Sequence, residues 1–143
     1  MKAVVQRVHS ANVVINGEKK AEIGRGLLVY LGVGQQDTEK DVDFFVNKII
    51  NLRIFPDEDN KMNISALLLN LEILVVSQFT LYGDVKKGFR PSFQDAADTE
   101  LAIYLYELFI RKLKETGLKI ATGTFQAMMD IHSVNDGPVT III

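Results

Sequence analysis

The sequence predicts one α/β domain, spanning residues 1–143, in which helices cover one side of a mixed β-sheet. Three observations predict this class. The 143 residues suffice for a single domain with its own core, and 48% are apolar, which excludes a disordered chain. Extended apolar runs occupy both ends of the chain. Between them, the apolar spacing changes twice to the period of an amphipathic helix, with one apolar strand separating the helices.

The N-terminal part is predicted to form strands. The segment KAVVQRV is extended, and alternation places Ala3, Val5 and Arg7 on one face. ANVVING and EKKAEIG are predicted to pair as a hairpin that turns at Asn16–Gly17, because Asn-Gly is the strongest short hairpin signal. GLLVYLGVG is apolar enough for a central strand of the sheet.

Two helices are predicted from apolar periodicity. The first covers about residues 37–52, where Asp37 or Thr38 can cap the first amides. The second covers about residues 95–116, and Gly117 occupies the position of a C-terminal cap. The predicted buried stripes are Val42, Phe45, Val46 and Ile49 in the first helix, and Leu101, Leu105, Leu108 and Phe109 in the second.

The remaining strands lie between and after the helices. EILVVSQFTL is a second candidate for a central strand; if it stays extended, Gln78 and Thr80 share one face, with Ser77 and Phe79 on the other. LKIATGTF, AMMDIHSV and VTIII are predicted to finish the chain as strands. The residues NDGP before the last strand favour a turn, since proline cannot donate to a sheet ladder.

Charge argues against extensive contact with duplex nucleic acid. The net charge is −2 and the isoelectric point is about 5.7, whereas proteins that grip a duplex along its backbone are usually basic. Lys86, Lys87 and Arg90 form a local basic cluster, although a solvated face explains most clusters of this kind. Charge alone therefore leaves the partner undecided.

Composition also indicates the compartment and excludes a familiar metal motif. The chain has no cysteine, no apolar stretch long enough for a membrane span and no signal peptide, so we expect a cytoplasmic protein without a membrane partner. His9 and His132 have no metal-ligand or catalytic-triad spacing around them, and both are better explained as structural or surface residues. We expect no metal and no cofactor.

Polar residues end the strand candidate between the two helices. Ser77, Gln78 and Thr80 follow an apolar run, at the point where a buried strand should reach the surface. Side chains at a strand end can line a site, and free backbone amides there can bind a developing oxyanion. Serine and threonine at strand ends are also common without any catalytic role. The pattern alone leaves both interpretations open.

Two motifs taken together are more specific. SQFTL (77–81) and NDGPVT (135–140) closely resemble the two signature motifs of the D-aminoacyl-tRNA deacylase family, first known as D-tyrosyl-tRNA deacylases. The resemblance continues in chain order through AVVQRV, GLLVYLGV, NKIINLRIF, KGFRPSF and YELF. It implies a compact D-tyrosyl-tRNA deacylase-like fold of β/β/α layers, with barrel-like sheets and two main helices. The predicted order of elements is compatible with that fold.

The resemblance also implies an activity and its partners. The family hydrolyses the ester that joins a D-amino acid to the 3′-terminal adenosine of tRNA, and it removes glycine mischarged onto tRNA for alanine. Its members are homodimers with two sites at the subunit interface. The expected partners are therefore the aminoacyl-adenosine end of tRNA and a second copy of the chain.

The resemblance also implies roles for individual residues, at the positions that match the family's motifs. In the family a cis Gly-Pro pair, here Gly137–Pro138, inserts its carbonyl groups into the partner subunit's pocket and rejects L-substrates. Val139 and Thr140 complete this substrate-binding motif. Arg7 would hold the pair in orientation; the alternatives are a solvated arginine on an edge strand, and a simple turn before the last strand.

Two mechanisms remain open for the chemistry. Thr80 can be the nucleophile, but no base is identifiable for it, and an unactivated hydroxyl is weak. Alternatively the substrate's own 2′-hydroxyl helps to activate water, while the backbone amides of Phe79 and Thr80 stabilise the oxyanion. We favour the second mechanism. Ser77 and Gln78 would shape the adenosine and ester end of the site.

The sequence also departs from the family pattern. Where relatives commonly have GxFGA, this chain has GTFQA, so Gln126 replaces a glycine, and Met128 stands where a charged residue often follows. These differences put the substrate range in doubt more than the reaction.

Two rival functions remain: a non-catalytic module that binds RNA ends, and an editing domain of the kind found on some archaeal threonyl-tRNA synthetases, which removes L-serine.

Overall fold

A computed structural model describes all 143 residues. The helical elements are α1 (Glu39–Asn51), α2 (Thr99–Glu115) and a short 3-10 helix (Phe79–Tyr82). The strands are β1 (Lys2–Ile15), β2 (Glu18–Ile23), β3 (Gly26–Gly32), β4 (Phe55–Pro56), β5 (Met62–Ile64), β6 (Glu72–Ser77), β7 (Ile120–Thr122) and β8 (Asp130–Ile142). Neither α-helix has the length and apolarity needed to cross a membrane.

Strand β1 organises the main sheet, whose order is β2-β1-β3-β6-β7, with β8 also paired to β1. One edge of β1 pairs antiparallel with β3 along residues 2–8 and with β2 along residues 11–15. The other edge pairs antiparallel with β8. By contrast, β3, β6 and β7 run parallel to one another. The prediction of a mixed sheet is therefore confirmed.

The predicted hairpin and both helices are present. Ile15 pairs with Glu18 across Asn16–Gly17, and both turn residues have positive φ (52° and 80°), as a tight hairpin requires. Thr38, not Asp37, is the N-cap of α1. The carboxylate of Asp98 accepts a hydrogen bond from the backbone N of Leu101 (2.9 Å) and so caps α2.

The core lies on both faces of the curved sheet. The larger cluster fills the space between the helices and the face that carries Ala3 and Val5. A smaller cluster, which includes Val8 and Val13, packs on the opposite face. Of the two predicted helical stripes, every residue is buried except Leu101, which is partly buried against the larger cluster. The helices therefore cover one side of the sheet because their apolar stripes need that face.

Two expectations about strands were wrong. Strand β6 ends at Ser77, and the chain then turns into the 3-10 helix, so residues 78–80 do not alternate across a strand. Near the C-terminus, β8 runs from Asp130 to Ile142 as one strand where a turn between two strands was expected. It stays paired on both sides of the Gly137–Pro138 peptide bond, which is cis.

Candidate active site

The SQFT segment lies at the edge of the sheet where the parallel strands end. Ser77 is the last residue of β6, and the backbone N of Gln78 still donates to the carbonyl of Leu31 in β3 (2.8 Å). Phe79 and Thr80 follow and are exposed, whereas Ser77 and Gln78 are half-buried. The side chains after Ser77 are therefore placed by the 3-10 helix at the end of a buried strand.

Two backbone amides at this edge have no partner in the loops, among the side chains or within the 3-10 helix. In the 3-10 helix, Leu81 N donates to the Gln78 carbonyl (3.3 Å) and Gly83 N donates to the Thr80 carbonyl (3.0 Å). Phe79 and Thr80 come too early in the helix to donate within it, and no loop carbonyl or side chain accepts from either. A pair of free amides of this kind is suited to stabilise an oxyanion.

The hydroxyl of Thr80 has no base beside it. Its Oγ1 accepts a hydrogen bond from the side-chain amide of Gln78, which cannot take up a proton. Neither histidine bonds to Thr80: His9 lies near Asp136 (Nε2 to Oδ1, 3.6 Å), and His132 is exposed on β8. The surroundings of Thr80 are therefore polar but contain no group that would activate its hydroxyl as a nucleophile.

Two glycines after and within β3 let the 3-10 helix approach closely. A Cβ added at Gly32 would lie 3.0 Å from the Gln78 carbonyl oxygen, and one added at Gly34 would lie 2.5 Å from the hydroxyl of Tyr82. That hydroxyl contacts the carboxylate of Asp37 (3.3 Å), which also accepts from the backbone N of Gly34 (2.6 Å). Burial, and next the Asp37 carboxylate, raise the pKa of Tyr82, so its phenol stays protonated. This packing fixes the position of the two free amides.

The second motif forms a bulge opposite Arg7. In the ladder between β1 and β8, Gln6 pairs with Thr140 and Val8 pairs with Asn135, so the four residues 136–139 stand against Arg7 alone. The side-chain amide of Asn135 donates to the carbonyls of Arg7 (2.8 Å) and Val139 (3.1 Å) and so closes the base of the bulge. The bulge leaves Gly137 and Pro138 exposed.

Arg7 is not solvated, so that alternative was wrong. Its side chain is only 11% exposed, and its Nε lies 3.0 Å from the carboxylate of Asp136. Its Nη1 donates to the carbonyl of Ile54 (2.5 Å). Arg7 therefore anchors the bulge through Asp136, and the carbonyl groups of Gly137 and Pro138 are not among its hydrogen-bond acceptors. Asp136 is the residue that sequence reasoning missed; its place inside the NDGPVT motif was the available signal.

The two motifs do not meet within one chain. Sheet register places Ser77 level with Leu31 and Ala3, whereas the bulge lies level with Arg7. Four residues along β1 and three strand spacings across the sheet separate them by roughly 20 Å. The side chain of Thr140 bonds only to Gln6 (3.2 Å from Oγ1 to Nε2), and Val139, the last residue of the bulge, is half-buried. A site that uses both motifs needs a second copy of the chain.

The departure from the family pattern has a structural counterpart. Gln126 has a positive φ of 60°, a conformation that glycine adopts without the penalty other residues incur. Its side-chain amide approaches the hydroxyl of Thr99 at the start of α2 (3.4 Å). Met128, two residues later, is almost fully exposed. Both residues follow β7 and so lie at the same sheet edge as Ser77.

Comparisons with known proteins agree on one family. The family model described as D-Tyr-tRNA(Tyr) deacylase matches residues 4–143. A protein from Halothermothrix orenii named D-aminoacyl-tRNA deacylase is 57% identical over 143 residues, which are 100% of this chain and 96% of that protein. A relative of the same name from Thermotoga petrophila is 54% identical, with the same coverage.

Two solved structures share the fold. The structure named c-Myc DNA Unwinding Element Binding Protein has a TM-score of 0.94 and 47% identity, and the match covers 100% of this chain and 97% of that chain. A second, described as "a probable eukaryotic D-amino acid tRNA deacylase", has a TM-score of 0.89 at 18% identity, covering 99% and 97%. The predicted fold is therefore confirmed. With a family model that matches all but three of its residues, the chain belongs to the D-Tyr-tRNA(Tyr) deacylase family.

Proposed function

We propose that this protein hydrolyses the ester bond of D-aminoacyl-tRNA, releasing the free D-amino acid and tRNA. Family membership across residues 4–143 is the observation that carries the proposal. The geometry at the end of β6 is compatible with ester hydrolysis because it offers two free amides and polar side chains beside open solvent. The protein acts in the cytoplasm, where tRNA is charged.

In the proposed mechanism the protein supplies position and electrostatics. The amides of Phe79 and Thr80 donate to the oxygen that becomes negative as water attacks the ester carbonyl. Gln78 orients the Thr80 hydroxyl, while Ser77 and Gln78 border the adenosine. The 2′-hydroxyl of the substrate's ribose assists the attacking water, since the chain offers no base beside Thr80.

D- and L-aminoacyl substrates are distinguished across the interface of a homodimer. Gly137 and Pro138 are exposed on their own subunit and lie roughly 20 Å from its Ser77, so their carbonyl groups act in the pocket of the partner. There they occupy the space that the side chain of an L-amino acid needs. Glycine has no side chain to exclude, so glycine mischarged onto tRNA for alanine is also a substrate.

Strand β8 supports the dimer. Its 13 residues pair on one edge only, and the exposed side chains of this strand include Val134 and Ile142. A long strand with an unpaired edge and apolar side chains is normally shielded from solvent by another protein segment. A second copy provides that shielding and brings the bulge to the site that it completes.

We expect purified protein to release D-tyrosine from D-tyrosyl-tRNA and to leave L-tyrosyl-tRNA intact. The physical reason is steric exclusion of the L side chain by the backbone of residues 137 and 138. Paired deacylation assays with radiolabelled tyrosine measure both rates under identical conditions. Equal rates for the two enantiomers would refute the chiral filter; tRNA binding without turnover would favour the non-catalytic module, and release of L-serine from seryl-tRNA would favour the editing domain.

Thr80→Ala is expected to retain its rate within about tenfold, because the amide of residue 80 survives the substitution and the hydroxyl is not the nucleophile. Single-turnover deacylation of D-tyrosyl-tRNA measures this. Thr80→Ser is the matched control, since it keeps a hydroxyl. A loss of several orders of magnitude in the alanine variant, restored in the serine variant, would establish Thr80 as the nucleophile.

Gly137→Ala is expected to weaken enantiomer discrimination or dimerisation. Gly137 has a φ of 117°, and an added Cβ would lie 2.8 Å from Cγ2 of Val139 and 3.0 Å from Nη2 of Arg7, so the bulge must shift. The ratio of D- to L-tyrosyl-tRNA hydrolysis and sedimentation velocity provide the readouts. Gly24→Ala, where a Cβ meets nothing within 4 Å, is the control. Unchanged discrimination and assembly would remove the assigned role of Gly137.

Gly32→Ala is expected to lower kcat by about tenfold to a hundredfold, because displacing the start of the 3-10 helix misplaces both free amides. Gly24→Ala again serves as the control, as its added Cβ lies in open space. Steady-state kinetics with D-tyrosyl-tRNA and urea unfolding separate loss of activity from loss of stability. A Gly32→Ala variant as active as Gly24→Ala would show that the glycine does not position the site.

A further inference from the structure

A basic loop borders the candidate active site. The loop comprises residues 84–92 and is closed by two backbone hydrogen bonds between Asp84 and Ser92 (2.8 and 2.9 Å). It begins two residues after the 3-10 helix that carries Thr80. Every residue of the loop is exposed. The loop is therefore a defined projection beside the reaction centre.

Exposed aromatic rings connect the loop to the site. Phe89, near the tip, has its side chain fully exposed. Phe79 and Phe93, at the base, are both partly exposed and form an edge-to-face pair with ring centroids 5.0 Å apart. An exposed phenylalanine offers a flat apolar face on which a base can stack. The rings thus provide stacking surfaces beside the Phe79 and Thr80 amides.

The charge of the loop is opposite to that of the whole chain. Lys86, Lys87 and Arg90 lie within five residues, and none has a carboxylate within salt-bridge distance. The one acid of the loop, Asp84, accepts a hydrogen bond from the backbone N of Lys86 (2.9 Å). The chain as a whole has a net charge of −2. A local excess of unpaired cations on an acidic protein creates a positive potential that attracts an anionic partner to this position.

We propose that the basic loop binds the single-stranded nucleotides that precede the terminal adenosine of tRNA. Phe89 stacks on a base, and Lys86, Lys87 and Arg90 contact the phosphates beside it. This inference rests on the proposed deacylase function, because it extends the same site along the substrate. Three cations and one ring suit a short single strand, which is bound by stacking and a few phosphate contacts. Two copies that met loop to loop would bring like charges together, which favours RNA as the occupant.

The test compares two substrates that differ only beyond the terminal nucleoside: D-tyrosyl-tRNA and D-tyrosyl-adenosine. Phe89→Ala is expected to raise KM for the tRNA substrate about tenfold, with kcat little changed, because stacking on a base is lost. The triple variant Lys86→Ala/Lys87→Ala/Arg90→Ala is expected to do the same. Both variants should hydrolyse D-tyrosyl-adenosine as the wild type does.

Salt dependence gives a second readout. If three phosphate contacts are made, the slope of log(kcat/KM) against log salt for D-tyrosyl-tRNA should fall in magnitude by about 2 in the triple variant. Phe89→Ala should leave the slope unchanged. The matched controls are Phe44→Ala, an exposed aromatic residue on α1, and Lys19→Ala/Lys48→Ala/Lys61→Ala, which removes the same charge elsewhere. Neither control should change KM or the slope.

The outcomes separate this inference from the proposed function. Hydrolysis of D-tyrosyl-tRNA by the wild type tests the function itself. With that activity present, an unchanged KM and salt slope in the loop variants overturn the inference. Equal losses of hydrolysis on both substrates also overturn it. In that case a changed sedimentation coefficient would assign the loop to the subunit interface. An unchanged coefficient would assign it to the reaction centre.

Discussion

The pairing of β1 is the constraint on which the rest of the structure depends. This one strand holds β3 and β2 on one edge and β8 on the other, so its register decides where both sequence motifs lie. Ala3 and Val5 face the larger core and are fully buried, and a slip of one residue would turn them to the opposite face of the sheet. The positions of Ser77 and of the bulge opposite Arg7 are thus consequences of how β1 buries its apolar side chains.

Around this strand, the two halves of the candidate site are built in different ways. The half after β6 depends on close approach: Gly32 and Gly34 leave room for the 3-10 helix, and Asp37 holds Tyr82 against it. The other half depends on charge, since Arg7 is nearly buried and its ion pair with Asp136 holds the base of the bulge. Packing therefore fixes the amides, and an ion pair fixes the exposed backbone.

The separation of the motifs also explains the exposed surface. Within one chain the bulge serves no pocket, β8 has an unpaired edge, and Phe89 is in open solvent. The proposed function accounts for each feature by a partner: a second copy for β8 and the bulge, and an RNA end for the basic loop.

The sequence by itself determined the elements whose signals are local. The Asn16–Gly17 hairpin and the buried stripes of both helices could be predicted because turn geometry and apolar periodicity depend on neighbouring residues. The family motifs were recognised by their resemblance to known sequences. It did not reveal that β6 gives way to a 3-10 helix, that residues 136–139 bulge within one strand, or that Arg7 pairs with Asp136. Those features were decided by the tertiary structure, because each depends on which distant backbone or charge lies opposite, and only strand register sets that.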